Sequence, residues 1–189
     1  MEKMTPLCSF PRRHFIQRTG LWVLAGALAP VTASAHAAML RKPRHLLLEH
    51  LHTEEQLSIT YAIGNNYLPS ALARLDHFLR DHYTQDVGHI DPALFDLLHQ
   101  TQQLLGSQEP FQVISGYRCP ATNDQLRENG GGGVARRSLH MLGRAIDIRL
   151  PETPLNELRE AAISLKAGGV GFYPQEQFVH LDTGKVRYW

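Results

Sequence analysis

Cysteine is nearly absent: the 189 residues contain only Cys8 and Cys119. Cys8 falls in a leader that reads as removable, so the remaining chain has a single thiol and no internal disulfide. Its stability must come from an ordinary hydrophobic core. No charge sign dominates either, with 19 Lys and Arg against 18 Asp and Glu. Four of those cations and one of the acids lie in the first 37 residues, which leaves the rest slightly acidic. Without a basic stripe, nucleic acid is not an expected partner. Long apolar runs are missing as well. The longest, over residues 21–28, is well short of the roughly 18 residues a membrane span needs. There is no internal repeat, and the one low-complexity tract is Gly130 to Gly133.

What the front of the chain does contain is an export layout. Arg12 and Arg13 precede the short apolar run, and small residues follow around Ala33, Ala35 and Ala37. Paired arginines, a modest apolar region and an Ala-x-Ala site describe a twin-arginine signal peptide over residues 1–37, cleaved after Ala35 or Ala37. This predicts the Tat export machinery as a partner and the periplasm as the destination. Residues 38–189 are the right length for one domain.

Along that domain, residues 46–51 and 56–62 read as two strands around a turn. A helix is predicted over 70–83 with Ser70 as N-cap, and a second begins at Asp91-Pro92, where the cap-then-proline order is favourable. Residues 111–115 form a buried-type strand, 120–128 a short helix, and 129–137 a mobile glycine-rich loop. A strand over 144–150, a helix over 154–166 ended by Gly168 and Gly169, and strands at 170–173 and 178–182 complete the order. Helices first and strands last predict an α+β fold with a small antiparallel sheet flanked by helices.

Chemistry concentrates between Ser138 and Asp147. His140 and Asp147 stand seven positions apart across Gly143, and His180 follows in an apolar context. Two imidazoles and a carboxylate make three N/O ligands, the number that a catalytic zinc site uses while keeping a position open for water. Strand alternation places Asp147 opposite Ile146 and Ile148, and His180 opposite Val179 and Leu181. If the two strands pair, Asp147 and His180 share a face. Zinc there would bring the pKa of its water toward ~7. Taken alone, a His-x6-Asp spacing serves structure more often than ligation. The chain has 11 histidines, of which His77, His82, His89 and His99 read as helix-surface residues.

Combined motifs go further. Ser138-x-His140-x-x-Gly143-x-Ala145-x-Asp147, the upstream Ser115-Gly116-Tyr117-Arg118 and the downstream Phe178-Val179-His180-Leu181-Asp182 resemble the zinc D-Ala-D-Ala metallopeptidase superfamily. That group includes the D-Ala-D-Ala carboxypeptidases, the lysostaphin-type enzymes and the hedgehog signalling domain. Within it, the chain is most similar to the YcbK-like (MepK-like) murein endopeptidases of Gram-negative bacteria. Those share the twin-arginine signal, the Gly168-Gly169-Val170-Gly171 run and the Asp182-Thr183-Gly184 to Arg187-x-Trp189 ending.

The resemblance implies a hedgehog-like or D-Ala-D-Ala-peptidase-like fold, with His140, Asp147 and His180 as zinc ligands. It makes Arg118 the group that binds the substrate oxygen and stabilises the oxyanion; Ser138 and Tyr117 are candidates for supporting them. Two positions depart from the pattern. Many relatives carry an acidic base in an Asp/Glu-x-x-His arrangement, where this chain has Gln177. Glu176 and Asp182 are the candidates to replace it, with Asp182 slightly favoured by its alternation, although it could instead orient a ligand histidine. Cys119 stands where relatives usually have Ser, and reads as a buried or capping thiol. The implied activity is zinc-dependent hydrolysis of peptide cross-links in peptidoglycan, by a monomer that regulatory periplasmic proteins could restrain. The alternatives are a D,D-carboxypeptidase removing terminal D-Ala, or a non-catalytic zinc-containing wall-binding module.

Overall fold

A computed structural model describes residues 42–129 and 133–189. The expected signal peptide with its two candidate cleavage positions, Cys8, and Gly130 to Gly132 lie outside the described residues. The elements run β1 (Pro43–His50), β2 (Gln56–Ile63), β3 (Asn66–Tyr67), α1 (Pro69–Phe78), α2 (Pro92–Leu105), β4 (Phe111–Ser115) and α3 (Pro120–Asn129). A 3-10 turn (Leu139–Leu142) then leads to β5 (Ala145–Arg149), α4 (Leu155–Leu165), β6 (Gly169–Tyr173), β7 (Phe178–Asp182) and β8 (Arg187–Tyr188).

All eight strands join one sheet in the order β3-β2-β1-β4-β5-β7-β6-β8. The expected small antiparallel sheet is therefore corrected to a larger mixed one. Most neighbours are antiparallel, but β1 runs parallel to β4, and β6 parallel to β8. The parallel pairs arise because residues distant in sequence meet there. The hairpin signals around residues 52–55 and 174–177 reveal only adjacent strands.

Apolar alternation faces the inner residues of the central strands, among them Leu46, Leu48, Val113, Ile146, Ile148, Val179 and Leu181, into one core. Helices α1, α2 and α4 cover it, α2 through Leu94, Phe95 and Leu98, α4 through Leu158 and Ala162. Helix α2 starts as expected: the Asp91 carboxylate accepts from Ala93 N at 3.0 Å, and Pro92 follows. A cap of this kind contributes about 1 kcal/mol. Three helix boundaries differ from expectation, the first being the end of α1 at Phe78 in place of the predicted residue 83. Helix α1 begins at Pro69 after Leu68, and no side chain caps it, so Ser70 has no capping role. Helix α4 ends at Leu165, and Lys166 after it takes the left-handed conformation itself (φ 51°). Of the glycine pair that follows, Gly169 opens β6 instead, and a Cβ there would fall 2.4 Å from the Asp182 carboxylate.

Candidate metal centre and cleft

The sheet places the site on the face away from that core. Asp147 on β5 and His180 on β7 are directly paired residues, so their side chains rise side by side. A register shift in β4 between Val113 and Ser115 then brings Ser115 opposite Asp147, after Val113 has paired with Ile148 in the core. His140 arrives from the 3-10 turn. Ser138 caps that turn by accepting from His140 N at 3.3 Å, and Gly143 closes it at φ 63°. Gly143 is required twice over, because a Cβ there would also lie 1.9 Å from the His89 carbonyl oxygen.

The three side chains converge. His180 Nδ1 is 2.8 Å from Asp147 Oδ1, His140 Nε2 is 3.3 Å from Asp147 Oδ2, and the two imidazole nitrogens are 3.3 Å apart. One ligand atom from each lies within 4.8 Å of the others. The opposite nitrogens are already engaged. His140 Nδ1 is 2.7 Å from the Gly116 carbonyl oxygen, and His180 Nε2 is 3.2 Å from Asp182 Oδ2. Carbonyl and carboxylate oxygens only accept, so these bonds hold Nδ1–H on His140 and Nε2–H on His180. The inward nitrogens are therefore the ones whose lone pairs a metal would take. A donor set of two oriented imidazoles and one carboxylate fits a zinc-type ion.

Electrostatics agree with that arrangement. Burial pushes the Asp147 carboxyl up, but the His140 charge and hydrogen bonds from both imidazoles outweigh it and hold it well below the usual carboxylate range. Burial likewise disfavours the His180 imidazolium, yet bonding to Asp147 and Asp182 raises it to about 9. A metal must therefore displace a proton from His180, and uptake weakens as pH falls.

Arg118 follows β4 and reaches the same place. Its backbone N–H donates to the His140 carbonyl (3.2 Å), and its guanidinium lies 3.3 Å from Ser115 Oγ and 3.9 Å from Asp147 Oδ2. The two candidate bases are placed very differently. Asp182 is fully buried behind His180, where its oxygens accept from Gly169 N, Gly184 N, Arg187 and His180. Burial raises its carboxyl, but those bonds prevail and hold it far below its ordinary value. Glu176, in the turn between β6 and β7, lines the cleft that contains Arg118, His140, Asp147 and His180. Gln177 takes a left-handed backbone conformation (φ 59°) and donates its amide to the Pro174 carbonyl, so it serves the turn.

The cleft encloses about 470 Å³. One wall is aromatic: Tyr173 and Phe178 stack at 4.5 Å, and Trp189 donates its indole N–H to the Tyr173 hydroxyl at 2.8 Å. Trp189 packs over Gly171, where a Cβ would meet the indole at 2.7 Å. Sequence reasoning missed this wall, as it missed the Gly116 carbonyl; every residue has a carbonyl, so no residue type marks that one. Tyr117 packs its ring against Gly88. His82 and His89 lie in the connection between α1 and α2, outside any helix.

Cys119 caps the start of α3. Its sulfur accepts from Thr122 N at 3.5 Å and lies 3.3 Å from Thr122 Oγ1, and its own N–H donates to Asp81 at 2.8 Å. A serine hydroxyl can make the same cap, so Cys119→Ser should retain its metal content and keep turnover within about twofold. Loss of either, measured by metal analysis and peptide hydrolysis, would give the thiol a larger part.

Residues 38–189 match the family model described as "Peptidoglycan L,D-endopeptidase MepK". The chain is 43% identical over 178 residues to the Escherichia coli K12 protein named peptidoglycan L,D-endopeptidase MepK, covering 94% of this chain and 96% of that one. It is 37% identical over 174 residues to a Haemophilus influenzae protein named as a probable enzyme of the same kind, covering 89% and 93%.

Proposed function

Since the chain belongs to the peptidoglycan L,D-endopeptidase MepK family, we propose that it is a zinc-dependent periplasmic enzyme that hydrolyses peptide cross-links in peptidoglycan. The observation that carries this reading is the convergence of His140 Nε2, Asp147 and His180 Nδ1, each outer nitrogen already bonded, at the floor of an open cleft. Zinc held by these three residues supplies Lewis acidity that makes water a nucleophile near neutral pH.

The protein's own groups do the rest. Glu176, the carboxylate that lines the cleft, takes the proton from the attacking water and returns it to the leaving amine. The Arg118 guanidinium, on a side chain only 13% exposed, donates to the carbonyl oxygen as negative charge develops there. Asp182 holds the His180 ring, and the Gly116 carbonyl holds that of His140. An N-terminal Tat signal would deliver the folded chain to the periplasm, where its stem-peptide substrates are.

Incubation of the purified protein with cross-linked muropeptides tests the reading. Dimers should be converted to monomers, a chelator should stop the reaction, and zinc should restore it. Glu176→Gln should keep its zinc and lose about 10²–10⁴-fold in turnover. No cleavage with zinc present refutes the activity, and full turnover in the Glu176 variant refutes the base.

A further inference from the structure

Arg118, Asp147 and Phe178 line a second cavity besides the cleft. It encloses about 210 Å³ and extends to His52, His82 and Tyr83. These residues form a stack of flat rings. His52 and His82 are parallel, with centroids 4.2 Å apart and 7° between planes, and Tyr83 lies 4.2 Å from His82 at 35°. Tyr83 is 57% exposed, so its ring is open to a ligand. Behind the stack, fully buried His50 stands edge-on to His82 at 5.7 Å.

This stack is a costly way to fill space. Nε2 of His50 and Nε2 of His82 are buried without a hydrogen-bond partner among the described residues. Such an orphaned nitrogen is destabilising, a cost that apolar rings of the same shape would avoid. The stack is nonetheless held firmly to the site. The Asp81 carboxylate accepts from Tyr83 N at 2.9 Å and from Cys119 N at 2.8 Å, which ties the His82-Tyr83 turn to the residue after Arg118. Burial and neighbouring imidazoles keep His82 below its ordinary value and hold His50 down to about 4, so both rings are neutral at neutral pH.

We propose that the His52–His82–Tyr83 stack is a substrate subsite that receives the peptide arm of the second stem of a cross-link. This rests on the endopeptidase reading above. An enzyme that cuts inside a chain must hold substrate on both sides of the scissile carbonyl. The Tyr173, Phe178 and Trp189 wall provides one side, and Arg118 stands at the junction. Across that junction, the flat rings of the stack offer faces on which uncharged amide planes can lie. A carboxypeptidase, whose substrate ends beside the scissile bond, has no use for them.

The test compares an intact cross-linked dimer with two singly truncated dimers, each lacking one stem beyond the residue that contributes to the scissile amide. His52→Ala and Tyr83→Ala, both at exposed positions, should raise KM for the intact dimer about tenfold with kcat little changed. Their metal content and thermal midpoint should match the wild type. With one of the truncated dimers, and only one, variant and wild type should become equal. A loss that persists with both truncated substrates, or no loss with the intact dimer, overturns the subsite. Failure of the wild type to cut any of the three overturns the endopeptidase reading itself.

Discussion

Asp147→Asn should yield a folded protein without bound metal and with hydrolysis reduced by far more than 100-fold. Asp147 is the one anionic donor in the cluster and lies between the two imidazoles, within 2.8 and 3.3 Å of them. Loss of an outer partner that merely orients a ligand already costs about 10–100-fold in affinity or activity, and loss of the charged ligand must exceed that. The variant also tests the electrostatics of the metal-free protein. His180 titrates at about 9, above its ordinary value of 6.5, so it favours the folded state fully below pH 6.5. That contribution disappears as pH rises through 9 and is on the order of 3 kcal/mol, shared among the partners of His180. Asp147, whose carboxyl is depressed, acts oppositely: its contribution is present above about pH 4 and lost in acid. Chelator-treated wild type should therefore lose stability between pH 6.5 and 9, and Asp147→Asn should lose less. Denaturant melts across that range provide the measurement. Metal analysis showing stoichiometric zinc in the variant would remove Asp147 from the ligand set.

Most of the strands were legible in the sequence because each carries its own local signal. β4 was readable to the residue, and β7 with its turn likewise, since alternation and the Pro174 turn lie within a few positions. Sheet order was not legible. Whether β1 meets β4 in parallel depends on contacts between segments some sixty residues apart, and no local period encodes that. The same division applies to the site. Asp147 opposite His180 followed from alternation plus one pairing assumption, which the register satisfies. The position of Asp182 did not follow. Alternation places it on the His180 face, but it does not reveal that Gly169 and Gly184 fold two backbone N–H groups onto the carboxylate and bury it. The helix end at Phe78 was misjudged for a similar reason: a tertiary bond fixes the chain just past it, and no local cap marks it. Leu79 gives its carbonyl to Tyr117 N at 2.7 Å, two residues past the end of β4.

Asp182→Asn separates the two roles open to that residue. Its Oδ1 accepts from Gly169 N, Gly184 N and Arg187, and Oδ2 accepts from Arg187 and His180 Nε2. An asparagine keeps its oxygen where three donors converge, so its NH2 group must face Arg187 and His180. Two donors then oppose each other unless His180 releases the Nε2 proton and accepts there instead. That shift puts the proton on Nδ1, the nitrogen directed at Asp147, and closes the lone pair a metal needs. The expected result is a 10–100-fold weaker zinc affinity, with turnover largely recovered at saturating zinc. Stability should fall by about 1–3 kcal/mol, because a buried acceptor has been exchanged for a donor without a partner. Arg187 is 44% exposed and can turn to water, which keeps the loss below that of a fully buried pair. A base acting on the reacting water would behave otherwise: its amide variant would bind zinc normally and stay inactive however much was added. Zinc titration followed by turnover at each concentration distinguishes the two, and a fully loaded, inactive Asp182→Asn would transfer the proton from Glu176 to Asp182.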